Sequence, residues 1–172
     1  HGDRSDRRHA RLKYTIEDHG VDWFKDELNR RLGWNLKPPC EIAFDLTTDR
    51  YGWTQGHDEK WALCLFVEGG RLQDANGVKA KSAILEIARI HQGDLRLTPN
   101  QNLIISQVDE GDKASIEETL ARHGVVAPAE LSGLRLNSIA CTALPTCGLA
   151  LAESERYLPS LVADLEKVLD ET

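Results

Sequence analysis

Methionine is absent from this 172-residue chain, and Phe, Trp and Tyr together make up only 6% of it. A chain that opens on His1 with no methionine is expected to be a piece cut from a longer protein. Long apolar runs are missing too: none approaches the about 20 residues that span a bilayer, which argues against membrane insertion. The opening HGDRSDRRHARL is charged rather than apolar and does not read as a signal peptide. Positive charge is in deficit, with a net of -7, so nucleic acid is not expected as the main partner. Four cysteines are too few for a disulfide scaffold and read as cytosolic thiols or metal ligands. The six histidines, at 1, 9, 19, 57, 91 and 123, show no His-x-x-x-His pair, which argues against a zinc enzyme. There is no Gly-x-Gly-x-x-Gly, no phosphate loop and no Gly-x-Ser-x-Gly elbow, so nucleotide and serine-hydrolase chemistry lack their motifs.

What remains is 41% hydrophobic and 28% charged, an ordinary globular balance. Residues 1–40 carry nine Lys/Arg against seven Asp/Glu, a net of +2, whereas residues 151–172 carry two against six, a net of -4. The opening stretch predicts a helix capped by Asp3 or Ser5 and interrupted at Gly20. A second helix is predicted over 22–31, with Trp23, Phe24, Leu28 and Leu32 as its buried stripe and Gly33 as its stop. Lys37-Pro38-Pro39 is a stiff hinge and the best candidate boundary. Beyond it, Trp61 to Val67 predicts a strand that turns at Glu68-Gly69-Gly70-Arg71 into a second short strand. Residues 78–91 predict a helix, 94–98 and 102–106 two strands around a corner, and 112–123 a helix ended by Gly124. Alternating strand pairs and helices predict an α+β fold, with helices on one face of an antiparallel sheet. Pro128 to Leu136 reads as loop, a new unit opens at Asn137, and Gly148 to Ala152 reads as a helix start. The last helix is expected to bury Leu161, Leu165, Val168 and Leu169.

Three clusters could carry chemistry. Cys141 and Cys147, with five residues between them and Pro145 bending the backbone, can converge on one metal or cluster. Thr146 would cap a following helix and set Cys147 at its positive end, where a thiolate is favoured. Two buried core cysteines are the competing reading. Cys40 and Cys64 could complete a four-ligand site, although both fit ordinary thiols better. The corner Arg96 to Asn102 is dense in donors and acceptors and suits a polar ligand, or else is a self-bonded turn. The basic cluster Arg4, Arg7, Arg8, Arg11 and Lys13 is either a solvated face or a meeting place for carboxylates.

Four stretches together resemble the siroheme-bearing hemoprotein subunit of assimilatory sulfite reductases, in the nitrite/sulfite reductase family. They are Asp6 to Thr15, Leu65 to Arg71, Gly93 to Ile105, and Ala140 to Cys147 continuing through Leu149 to Pro159. The resemblance implies six-electron reduction of sulfite to sulfide at a siroheme bridged to a 4Fe-4S cluster. It implies that Cys141 and Cys147 are the first pair of cluster thiolates; the family's later Cys-x3-Cys pair has no counterpart here. It also implies that the Asn100-Gln101 corner reaches the siroheme, with Gln101 in contact. The family's anion-binding Arg and Lys residues belong to an earlier half, so no catalytic residue is expected in this chain. On the same resemblance, residues 41–127 would be the second ferredoxin-like half-domain, preceded by a helical linker over 1–40. Residues 128–172 would open the siroheme and cluster-binding domain. A siroheme nitrite reductase, or a non-catalytic interaction module that has kept the fold, are the alternatives. The electron donor would be ferredoxin or an NADPH flavoprotein, and the setting cytoplasmic. By itself the chain is expected to hold neither cofactor, and to self-associate through the face its missing first half would cover.

Overall fold

The computed structural model describes residues 2, 4–44 and 46–170, and the chain divides into two compact units, 1–44 and 45–172. In the first unit the Asp6 carboxylate accepts the Arg8 N–H at 2.9 Å and caps a short 3-10 turn, Arg7–His9. Helices α1 (Leu12–His19) and α2 (Val21–Leu32) follow, broken at Gly20 and ended at Gly33, whose N–H returns to the Asn29 carbonyl at 3.0 Å. The cap differs from expectation: α1 is preceded by Arg11 without a side-chain cap bond, Ser5 does not cap it, and Asp3 lies outside the described residues. Trp23, Phe24 and Leu28 are only half-buried and Leu32 is 45% exposed. Two short helices offer each other too little apolar surface to bury a full stripe. Lys37-Pro38-Pro39 lies in an irregular segment running to Phe44.

The second unit is built on a four-stranded antiparallel sheet of order β1-β2-β6-β5, from β1 (Gly52–Gln55), β2 (Trp61–Leu65), β5 (Asp94–Leu97) and β6 (Leu103–Val108). Alternation along the strands sends Leu63, Leu65, Leu103, Ile105 and Val108 to one face. There they pack on Ala83, Ile84 and Ile87 of α3 (Ala80–Ile90) and on Ile116 and Leu120 of α4 (Lys113–Arg122). Ile87, Ile105, Ile116 and Val108 are fully buried, and each contributes about 1.5–3 kcal/mol of transfer free energy. The expected α+β plan, antiparallel sheet with helices on one face, is therefore present. Gln107, at φ 63, is the extra residue of a bulge that shifts the β2–β6 register between Trp61 and Leu63.

Several local expectations change. The hairpin partner of β2 is β1, across the loop Gly56 to Lys60, and not a strand directly following the Glu68–Gly70 turn. The Glu68–Gly70 segment is instead a 3-10 turn, and the short strand β3 (Asp74–Ala75) beyond it pairs with β4 (Val78–Lys79) across Asn76-Gly77. The segment read as loop holds a 3-10 turn, Pro128–Glu130, and the short helix α5 (Gly133–Leu136). Residues 148–152 are turn and bend, not helix, with Leu149 93% and Leu151 99% exposed. The next helix, α6 (Leu158–Asp170), buries Val162, whereas Leu161, Leu165, Val168 and Leu169 are exposed, because α6 meets the rest of the unit along α5 and the Glu68–Gly70 turn.

Candidate cofactor-binding site

The corner between β5 and β6 closes by backbone bonds, Thr98 N–H to the Asn102 carbonyl at 3.0 Å and Gln101 N–H to the Thr98 carbonyl at 3.2 Å. The Thr98 hydroxyl accepts from the N–H groups of Asn100 and Asn102, at 3.2 and 3.1 Å. It donates in turn to Asp49 at 2.6 Å. Asp49 also receives the amide groups of Asn100 at 3.2 Å and Asn102 at 2.7 Å. Asn102, 2% exposed, further donates to the Tyr51 oxygen at 3.0 Å and accepts the Val67 N–H at 2.9 Å. The Tyr51 hydroxyl donates in turn to the Leu136 carbonyl at 2.9 Å. Burial pushes the Tyr51 phenol up, against a lowering bond from Asn102, with Asp49 adding to the rise. Asn100 is thus spent on Asp49 as part of a self-bonded turn.

Gln101 stands apart from that network. It takes the left-handed conformation at φ 67, donates its amide to the Ala140 carbonyl at 3.2 Å, and keeps a buried Oε1 with no partner among the described residues. The Ala140 carbonyl only accepts, so it orients the amide with its nitrogen inward and leaves an acceptor unmatched. Next to it lies a cavity of about 240 Å³, lined by Tyr51, Phe66, Asn100, Gln101, Ser138 and Ile139 among others.

Ala140 leads directly into the cysteine loop. Cys147 N–H bonds the Ala143 carbonyl at 2.7 Å and Leu144 N–H bonds the Ala152 carbonyl at 3.3 Å, around a cis peptide bond at Leu144-Pro145. Ala140 and Ala143 are buried; Cys141 is exposed and Cys147 half-buried. No helix begins at Thr146, so Cys147 gains no helix-terminus field: the loop closes on itself in turns instead. After the loop, Glu155, 7% exposed, forms a two-pronged ion pair with Arg71, both contacts at 2.6 Å, and the Arg71 hydrogen bonds hold its carboxyl below the usual range. Arg135 joins Glu68 at 2.7 Å to Glu166 at 2.5 Å, so α5, α6 and the Glu68–Gly70 turn share one ionic cluster.

All four cysteines are free thiols. Cys64 is buried in β2, and burial, with Asp49 adding, pushes its thiol up to about 11. Cys40 is exposed. Among the described residues no three His, Cys, Asp or Glu side chains gather as a metal site. Cys141 and Cys147 stand at the two ends of one short loop, and Oε1 of Gln101 is a buried acceptor left for a donor group. Spacing points to the cysteines and the family resemblance to Gln101; Asp49, Tyr51, Arg71 and Glu155 carry no such signal, since isolated polar residues reveal their partners only in the fold.

A model described as the nitrite/sulfite reductase ferredoxin-like half domain matches residues 54–123, and one described as the nitrite and sulphite reductase 4Fe-4S domain matches residues 1–36. The chain belongs to the nitrite/sulfite reductase family. Within the second unit, residues 54–123 accordingly have the fold of the family's ferredoxin-like half-domain. The sulfite reductase (NADPH) hemoprotein beta-component of Staphylococcus carnosus (strain TM300) is 53% identical over 99% of this chain and 30% of its own length. The protein of that description from Paenibacillus sp. (strain JDR-2) is 52% identical over 98% of this chain and 29% of its own. The Mycobacterium tuberculosis NirA protein superposes with a TM-score of 0.72 at 26% identity, over 99% of this chain and 31% of that one. The chain thus spans about 30% of the length of the family members it matches. The 4Fe-4S domain match falls on the segment read from sequence as a helical linker, and the cysteine loop lies outside both matched ranges.

Proposed function

We propose that this chain supplies part of the siroheme and 4Fe-4S site of a sulfite reductase hemoprotein that reduces sulfite to sulfide. In this reading residues 41–127 are the second ferredoxin-like half-domain, 1–40 lead into it, and 128–172 open the cluster-bearing domain. Cys141 and Cys147 are two of the four cluster thiolates, and the Asn100-Gln101 corner faces the siroheme, with Gln101 retaining a buried polar atom that has no partner among the described residues. When bound, the cofactors would relay the six electrons from the external donor and supply the iron at which the anion is reduced. This chain's residues supply thiolates, a buried acceptor and the scaffold that orients them. The observation that carries the reading is the seating of a two-cysteine loop against Gln101, whose buried oxygen lacks a partner among the described residues. The relatives named sulfite reductase (NADPH) support sulfite as substrate and an NADPH-dependent flavoprotein as electron donor. Four free thiols suit a reducing, cytoplasmic setting. No helix among the described residues is long and apolar enough to cross a membrane. By itself the 172-residue chain holds two of four cluster thiolates and is expected to bind neither cofactor and to reduce nothing.

The test is the full-length protein, purified with its cofactors and assayed with sulfite and with nitrite in separate arms. A higher kcat/KM for sulfite is expected. A higher value for nitrite assigns the nitrite branch that the family description also covers, and no turnover of either anion makes the fold a non-catalytic module.

A further inference from the structure

The loop bearing Cys141 and Cys147 is held near both ends, by Gln101 of the β5–β6 corner and by Arg71 after the Glu68–Gly70 turn. At its start, Gln101 Nε2 donates to the Ala140 carbonyl at 3.2 Å. Beyond its end, Glu155 is clamped by Arg71. The two holders meet on adjacent glycines. Gly70, at φ 67, leaves room for Gln101, whose Cβ would stand 2.8 Å from a Cβ added there. Gly69, at φ 59, leaves room for Glu155, whose Cγ would stand 2.9 Å from a Cβ added there. Both conformations are ones that L side chains rarely adopt, and both gaps are too small for a methyl group. Gln101 itself sits in the left-handed region, a conformation uncommon for a glutamine.

We propose that Gln101, seated on Gly70, is a positioning residue for the cysteine loop: its amide fixes the Ala140 carbonyl and thereby the place of Cys141. The consequence for a cluster rests on the reading of Cys141 and Cys147 as its ligands; the tether itself does not. Cys141 follows Ala140 directly, so a displaced carbonyl moves the thiol with it. The Arg71–Glu155 pair limits motion at the far end, leaving Gln101 as the side-chain tether seen next to Cys141. The acceptor-only carbonyl makes the tether depend on a donated proton, and this separates it from mere packing.

Gln101→Glu keeps shape and volume but presents, near neutral pH, a carboxylate that cannot donate to Ala140. Protonated, it donates again. Amide hydrogen exchange of the 172-residue chain, without metal, reads the effect. A net hydrogen bond of about 1 kcal/mol corresponds to roughly fivefold faster exchange. At neutral pH the variant should show that acceleration at the Cys147 and Leu144 amides, with α3 and α4 unchanged. The ratio to the parent should return toward one as the carboxyl protonates, below about pH 4. Gly70→Ala, which pushes Gln101 aside sterically, should give the acceleration at every pH. Loop exchange unchanged in Gln101→Glu at neutral pH, or equally fast at low pH, overturns the proposal. Because no metal is present, that failure leaves the ligand assignment standing, and an absent cluster in the full-length protein leaves the tether standing.

Discussion

Replacing Asn102 by leucine removes the centre of the polar corner. In the structure its side chain, 2% exposed, accepts the Val67 N–H at 2.9 Å and donates to Asp49 at 2.7 Å and to Tyr51 at 3.0 Å. Leucine satisfies none of these. The Val67 N–H is left without an acceptor, at about 1–3 kcal/mol, and a bond to a carboxylate worth about 1.5–3 kcal/mol is lost. Asp49 keeps Thr98 and Asn100, and Tyr51 keeps the Leu136 carbonyl, so the loss is not the whole network. The added apolar side chain recovers part of it. A net destabilisation of about 2–4 kcal/mol follows, which for a domain of this size lowers the melting midpoint by roughly 5–15 °C. Asn100→Leu is the control: Asn100 is half-buried and its side chain makes one bond of 3.2 Å, so about 1 kcal/mol or less is at stake. Thermal and urea unfolding followed by circular dichroism measure both. An Asn102→Leu midpoint matching the parent, or an Asn100→Leu loss exceeding it, would refute the assignment of Asn102 as the hub.

Two further outcomes are expected. Glu86 on α3 is bound by Arg122 at 2.7 Å and by His123 at 3.0 Å, and these bonds, Arg122's first, hold its carboxyl down to about 2. A depressed carboxyl stabilises the fold above its ordinary value near 4.5 and loses that stabilisation as pH falls toward about 2. Glu86→Gln should therefore melt below the parent near neutral pH, with the gap closing as pH approaches 2; a gap independent of pH excludes the linkage. The 172-residue chain exposes Leu97 by 84%, Leu149 by 93% and Leu151 by 99%, a surface that favours self-association. Light scattering should show mass rising with concentration and falling back in Leu149→Ser/Leu151→Ser, whereas a concentration-independent monomer rules it out.

The elements that sequence reading located well are those with sustained periodicity. Helix α3 carries Ala83, Ile84 and Ile87 on one face, and β6 carries Leu103 and Ile105 on alternate positions, so burial pattern and period agree. β1 was missed because Gly52-Trp53-Thr54-Gln55 offers one large apolar residue, and its place is decided by pairing with β2. The Asn76-Gly77 hairpin was legible, with φ 51 and 82 in the pattern that Asn-Gly favours, but the adjacent Gly69-Gly70 drew the turn assignment. The helix expected from Gly148 failed for a different reason. Leu149, Ala150, Leu151 and Ala152 have helix-forming side chains, yet the bond from Leu144 N–H to the Ala152 carbonyl folds them into the cysteine loop. The cysteines are marked by their spacing and Gln101 by the family resemblance; that Gln101 reaches Ala140, 39 positions away, is legible in neither.

The central claim is that Cys141 and Cys147 bind iron in the full-length protein. Low-temperature electron paramagnetic resonance of the reduced protein, with iron and siroheme content measured on each preparation, tests it directly. Cys141→Ser and Cys147→Ser each replace a soft thiolate by a hydroxyl that cluster iron binds poorly, so each should abolish the cluster signal, while Cys40→Ser and Cys64→Ser should keep it. A parent-like cluster signal and iron content in either Cys141→Ser or Cys147→Ser would contradict the account.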